Sequence, residues 1–132
     1  ALAREGIPYD EALVYEGDYS FACGAPAFEK LYAQGVTAIC CASDKMAVGV
    51  IQAAQAAGLS VPEDFSVTGY DNDPVCNDIF PWLTTLSQDF FRIGQVAATL
   101  MHCQLHGMPI GPVSIVPPLL VRGSTARAKE RG

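Results

Sequence analysis

A chain of 132 residues, 50% hydrophobic and 17% charged, is long enough for one domain with a buried core and too apolar to be disordered over most of its length. Acids outnumber bases 14 to 8, but unevenly: residues 1–121 carry 4 basic and 13 acidic side chains, Arg122 to Gly132 carry 4 basic and 1 acidic, and no Lys or Arg stands between Met46 and Phe91. That excludes a direct nucleic-acid surface on the body, because phosphate contacts need clustered cations, and no apolar run approaches the ~20 residues of a bilayer span.

In chain order, Ala1-Leu2-Ala3-Arg4-Glu5 reads as helix interior ending at Gly6. There is no basic-then-apolar leader and no starting Met, so the chain is read as cut from something longer. Ala12–Glu16 is a short strand candidate after the Ile7-Pro8 turn. Ser20 to Ala33 is helical and stops at Gly35, with Gly24 and Pro26 weakening its first turns. Thr37–Cys41 is a compact apolar strand. Asp44 to Ala57 is a helix closed by Gly58. Phe65–Tyr70 is a strand, Thr84–Ser87 is extended, and Phe90 to Leu105 is a helix closed by Gly107. Val113–Val116 and Leu119–Val121 are extended around Pro117-Pro118. Strands alternating with helices predict an α/β fold with a parallel sheet, whose strands read as apolar runs because both faces are covered.

Two helices carry more information. In Asp44–Ala57 the only polar interior residues, Lys45, Gln52 and Gln55, fall on one narrow stripe. A helix apolar nearly all round buries more than one side, so one side is assigned to the sheet and the other to a second subunit, in preference to a merely small and tolerant Ala-rich surface. Phe90–Leu105 is amphipathic: Arg92, Gln95, Thr99, His102 and His106 form a polar stripe opposite Ile93, Val96, Ala97, Leu100 and Met101. The 5 cysteines, Cys23, Cys40, Cys41, Cys76 and Cys103, match no metal or redox spacing and read as reduced thiols of a cytoplasmic protein.

Ligands of an open parallel sheet bind beyond the carboxyl ends of its strands. Those ends present Asp18/Tyr19, Ser43/Asp44 and Asp71/Asn72 along one edge. Carboxylates and hydroxyls beside a ring suit a polyhydroxylated ligand, since acids accept from hydroxyls and rings stack on apolar sugar faces or bases. Plainer roles compete. Ser43 or Asp44 can cap the following helix, and Asp44 is assigned that role. Asp71 is balanced between ligand contact and a turn, Asp73 is assigned to a turn, and a lone Tyr19 is more often a partly buried ring.

Enzyme signatures fail: there is no nucleophile elbow, Walker A loop or G-x-G-x-x-G. Asp71-Asn72-Asp73 opens like a calcium loop but lacks its later Gly and Glu. His102 and His106 share a helix face beside Cys103 with no third ligand evident, and are read as solvated. No catalytic residue, metal or cofactor is assigned.

Several segments carry a resemblance to one family. Ala42-Ser43-Asp44-Lys45-Met46-Ala47-Val48-Gly49 resembles A-N-D-x-M-A-x-G. Gly58 to Asn72 resembles G-L-x-V-P-x-D-x-S-V-x-G-[YF]-D-[DN], Leu83 to Gln88 resembles L-T-T-x-x-Q, and Leu120 to Thr125 resembles L-V-x-R-x-S-T. Together they are similar to the LacI/GalR family of bacterial transcription regulators, over Gly6 to about Thr125. The resemblance implies a periplasmic-binding-protein-like core of two α/β subdomains with the ligand between them. This chain corresponds to most of the second subdomain (about 1–83), crossover elements (about 84–118) and a return strand (about 119–125), with 126–132 a basic tail.

The same resemblance implies effector contacts at Tyr19, Ser43, Asp71, Gln88 and Phe90. Ser43 stands where the family more often has Asn, which leaves its hydrogen-bond pattern open. A homodimer interface is implied at Met46, Val50, Val75, Ile79 and Phe80, so Val50→Asp is expected to weaken dimerisation more than folding. Arg122 is assigned a structural salt bridge. The partners implied are a sugar or nucleoside effector and a second copy. DNA is reached only through segments absent here, and no membrane is involved. The isolated chain is expected to bind effector weakly or not at all, and the Ile93, Val96 and Leu100 face of Phe90–Leu105 to lack its partner. Alternatives are a periplasmic sugar-binding protein of the same fold and a carbohydrate enzyme using Asp71 and Asp73.

Overall fold

A computed structural model describes residues 2–128. Expectations for Ala1 and for residues 129–132 of the basic tail lie outside the described residues. The helices are α1 (Gly24–Tyr32), α2 (Asp44–Ala56) and α3 (Phe90–Leu105), and the strands are β1 (Ala38–Cys40), β2 (Ser66–Asp71), β3 (Thr84–Ser87) and β4 (Leu119–Leu120). Short 3-10 turns stand at Leu2–Glu5, Glu11–Leu13 and Pro74–Asn77. The sheet order is β1-β2-β3-β4, parallel from β1 to β3 and antiparallel between β3 and β4. Asp71 pairs in register with Ser87, so the ends of β2 and β3 lie side by side.

The core sits between α1, α2 and the sheet. Ala27, Phe28 and Leu31 of α1 meet Ala47, Val50, Ile51 and Ala54 of α2 and Ile39, Phe65, Val67 and Leu83 from the sheet side. Phe28 stacks on Phe65 with ring centroids 5.8 Å apart. Ser43 begins α2 from an extended backbone, its Oγ accepting the Met46 N–H. The helix ends at Gly58 (φ +80°), where the Leu59 N–H donates to the Ala54 carbonyl and the Gly58 N–H to that of Gln55.

The second apolar side of α2 is covered by α1, which corrects its assignment to a second subunit. Gly24 and Gly49 make the approach possible: a Cβ on Gly49 would collide with the Phe21 carbonyl oxygen, and one on Gly24 with the Gly49 backbone. Val50 is 1% exposed and Met46 9%, so these two residues of the expected interface are spent inside the lobe. Phe80, by contrast, is 82% exposed, and Val75 and Ile79 are half-buried.

The expected strand at Ala12–Glu16 is absent; a 3-10 turn at Glu11–Leu13 and irregular backbone replace it. A strand exists by pairing, and here the Val14 carbonyl accepts from Lys30 Nζ instead. Val113–Val116 is likewise irregular. The helix expected from Ser20 starts at Gly24, beyond the Asp18–Ser20 turn. None of the residues of α3 is buried. No helix among the described residues is long and apolar enough to cross a membrane.

Candidate functional site

Two of the hollows at the carboxyl ends of the strands hold the expected ligand contacts. Tyr19, Ser43, Asp44, Lys45, Asp71 and Asp73 line the first. Ser87, Gln88, Asp89, Phe90, Arg92, Ile115, Val116 and Pro118 line the second. The expected ligand contacts are thus divided: Tyr19, Ser43 and Asp71 share one hollow, Gln88 and Phe90 the other. Two hydrogen bonds join the two groups, both from Gln88 to Asp71: Nε2 to Oδ1 at 2.8 Å and the backbone N–H to the carbonyl at 3.4 Å. A further hollow, lined by residues such as Thr37, Pro62 and Ser66, lies at the opposite end of the sheet, away from the strand ends where ligands of parallel sheets bind.

Left-handed backbone shapes the first hollow. Tyr19 (φ 64°), Asp71 (φ 113°) and Asn72 (φ 60°) are non-glycine residues with positive φ. Such conformations cost of order 1–3 kcal/mol each and persist only where neighbours hold them. Around Tyr19 the hold is the Asp18 carboxylate, which accepts from the Ser20 hydroxyl at 2.6 Å and the Ser20 N–H at 3.0 Å. Those two bonds keep the Asp18 carboxyl below its ordinary range. The Tyr19 ring is 64% exposed, open to stacking.

The loop after β2 is held residue by residue. Asp71 accepts from Gln88, Asn72 Oδ1 accepts from the Arg122 guanidinium at 2.8 Å, and the Asp73 N–H donates to Asp44 Oδ2 at 2.7 Å. Asn72 Nδ2 also donates to Ser87 Oγ. Asp73 Oδ1 accepts the Val75 N–H and caps the 3-10 turn, the turn role assigned to it.

Two assignments change. Ser43, not Asp44, caps α2, and the Asp44 side chain is buried against β2 and β3. Arg122 is structural, but its acceptors are the neutral Leu83 carbonyl at 2.9 Å and the Asn72 amide, not a carboxylate. His102 on α3 and His106, which caps its end, are exposed with ring centroids 4.2 Å apart, and no group of three or more metal-ligating side chains forms among the described residues.

Sequence reading passed over Lys45 at the first hollow and Arg92, Ile115 and Val116 at the second. Lys45 is the second residue after the Ser43 cap, in the first turn of α2 beside the strand-end edge, and that spacing is the signal available for it. Chemically, the first hollow offers carboxylate acceptors, a hydroxyl that can also donate, one cation and an open ring. That set suits hydroxyl groups.

The sequence profile described as periplasmic binding protein-like domain matches residues 1–125. The HTH-type transcriptional repressor CytR of Escherichia coli K12 is 39% identical over 129 residues, 95% of this chain and 38% of that protein. The chain therefore spans well under half the length of such curated relatives. Among solved structures, the transcription regulator CcpA of Lactococcus lactis superposes with a TM-score of 0.84 at 31% identity, over 95% of this chain and 47% of that one. A LacI family transcriptional regulator from Enterococcus faecium with bound ribose gives 0.82 at 30% identity, over 97% of this chain and 49% of that one.

Proposed function

This chain belongs to the periplasmic-binding-protein-like domain family, in its branch of LacI-type transcription regulators, and from that premise we propose that its strand-end edge is one wall of a site for a sugar or nucleoside effector. The observation that carries this is the convergence on one hollow of Ser43 and Asp71, from the ends of β1 and β2, and of Tyr19, from the irregular segment before α1. Asp71 accepts from ligand hydroxyls, Ser43 donates its O–H while its oxygen caps α2, and Tyr19 stacks on the ligand's apolar face. Gln88 orients the Asp71 carboxylate, and Phe90 borders the ligand from the second hollow. A ligand bridging this wall to a second lobe favours the closed arrangement and so shifts the population that binds an operator. The operator is reached through segments outside this chain, in a cytoplasmic homodimer whose contact includes Val75, Ile79 and Phe80. No catalytic step is assigned to the site, and relatives named as regulators favour this reading over an exported sugar-binding protein.

Titration of the chain with ribose, glucose, cellobiose and uridine, followed by amide NMR, tests the wall. A millimolar response from at least one of them, centred on Tyr19, Ser43 and Asp71 and weakened at least tenfold by Asp71→Asn, is expected. Micromolar affinity would overturn the half-site reading. No response to any of the four, or responses centred elsewhere, would overturn the wall itself.

A further inference from the structure

The geometry points to Asp44 as the positioning residue of this wall: its buried carboxylate sets the Asp71–Asn72–Asp73 loop through hydrogen-bond geometry rather than through its charge. The link to ligand rests on the reading of the edge given above; the hold on the loop does not.

Asp44 is 1% exposed, directly beside the Ser43 cap. Oδ2 accepts the Asp73 N–H at 2.7 Å and Oδ1 accepts the Thr85 hydroxyl at 2.6 Å. The elements that carry Ser43, Asp71 and Gln88 therefore meet on one side chain: the start of α2, the loop after β2, and β3. Gly69, paired with Thr85 across the sheet, leaves the room, since a Cβ there would collide with Asp44 Oδ1.

The loop needs such a hold. Asp71 and Asn72 both sit at positive φ, and their own partners, Gln88 and Arg122, are half-buried side chains. Asp44 alone among the loop's four side-chain partners, with Gln88, Arg122 and Ser87, is fully buried, and it alone takes a backbone donor from the loop. With it gone, the loop relaxes toward ordinary φ values, and the Asp71 carboxylate leaves the hollow shared with Tyr19 and Ser43.

Two accounts of a buried carboxylate at a helix start compete. The charge can matter, through the positive end of the α2 dipole, or the acceptor geometry can. Both bonded partners are neutral, and the Thr85 hydroxyl has a second acceptor in the Leu86 carbonyl at 3.4 Å. An amide at position 44 can accept from Asp73 with its oxygen and donate to Thr85 Oγ1 with its nitrogen, while the Thr85 O–H turns to Leu86. Every hydrogen bond is then kept without the charge.

Amide hydrogen exchange on the 132-residue chain decides it. In Asp44→Ala the Asp73 amide is expected to exchange at least tenfold faster relative to the core amides of Val67 and Ile51. In Asp44→Asn it stays within threefold of the parent. Should Asp44→Ala not fold, Thr85→Val leaves Oδ1 unsatisfied and is expected to loosen the same amide, with Thr85→Ser restoring it. An unchanged Asp73 amide in Asp44→Ala, equal loosening in Asp44→Asn and Asp44→Ala, or no difference between Thr85→Val and Thr85→Ser overturns the proposal. Ribose titration supplies the second readout: Asp44→Ala is expected to weaken the Tyr19 and Ser43 responses tenfold and Asp44→Asn to restore them. A full response from Asp44→Ala with a loosened loop overturns the positioning role. Absence of any ribose, glucose, cellobiose or uridine response in the parent overturns the ligand wall instead, while the exchange data still judge the clamp.

Discussion

Helices α2 and α3 follow strands of the same sheet and end in the same way. At Gly107 (φ +67°), as at Gly58, the next residue's N–H reaches back, here from Met108 to the Cys103 carbonyl. Their fates differ completely. Of the 13 residues of α2, 8 are buried; of the 16 residues of α3, none is. On α3, Phe91 and Leu105 are each 76% exposed and Met101 59%. Periodicity states which face a helix can bury, and says nothing about whether the covering surface lies in the same chain. In α2 the cover is α1, admitted by small residues; in α3 the apolar face of Ile93, Val96 and Leu100 has no such neighbour among the described residues.

The strongest way to break that contrast is to place one charge on each helix. Val50→Asp puts a carboxylate into a site 1% exposed, with no partner for it. We expect loss of cooperative unfolding, or a cost of at least about 3–5 kcal/mol, as for other uncompensated buried charges. This replaces the expected effect on dimerisation. Met101→Asp, on α3 at a residue 59% exposed, should lower stability against urea by less than about 0.5 kcal/mol, as at other surface positions. Equal losses from the two variants would show that α3 is packed after all.

A subtler pair uses the mid-helix glycines. Gly49 lies against the Phe21 carbonyl and Gly24, whereas a Cβ on Gly94 in α3 would meet nothing within 4 Å. Gly49→Ala forces α1 and α2 apart and should cost about 1–3 kcal/mol. Gly94→Ala removes only backbone freedom from the unfolded chain and should stabilise α3 by about 0.4–1 kcal/mol. Helicity against temperature reads both. The same sign for the two substitutions would sink the contrast.

What could be read in advance follows the same division. β3 and α3 were legible to the residue, Thr84–Ser87 and Phe90–Leu105, because an Asp beside the first aromatic and a glycine past the last leucine punctuate the chain. Ser43 and Asp71 were legible as neighbours, because a parallel sheet delivers its strand ends to one edge, whereas Tyr19 reaches the same hollow from irregular backbone and not from the strand expected before it. The Ala12–Glu16 strand was misread because pairing is a property of neighbours, not of composition. Asp44 was misread for a related reason: Ser43 and Asp44 are both good capping residues, and only the tertiary contacts with Asp73 and Thr85 show which one caps.

The smallest expected effect, nil at neutral pH, concerns the lobe's thiols. Burial, reinforced by the Asp44 carboxylate, pushes Cys76 up to about 12. Burial, reinforced by neighbouring thiols, does the same for Cys41. An unfolded chain releases these protons near the ordinary thiol value of 9.0, while the folded lobe keeps them, so above pH 9 the folded state binds more protons than the unfolded one. Stability from these groups is therefore intact below pH 9 and declines as the pH rises toward about 12. Tyrosines and lysines ionise in the same window, so the quantity to read is a difference of slopes. A Cys41→Ala/Cys76→Ala variant starts less stable at pH 8, from the space it opens, yet its urea midpoint should fall less steeply between pH 9 and 11 than that of the parent. Cys103, half-buried on a helix without a buried residue, should be alkylated at pH 8 well before Cys76. Identical slopes in the two proteins, or alkylation of Cys76 as fast as Cys103, would mean that the lobe opens as readily as α3, and that the two regions differ in appearance more than in stability.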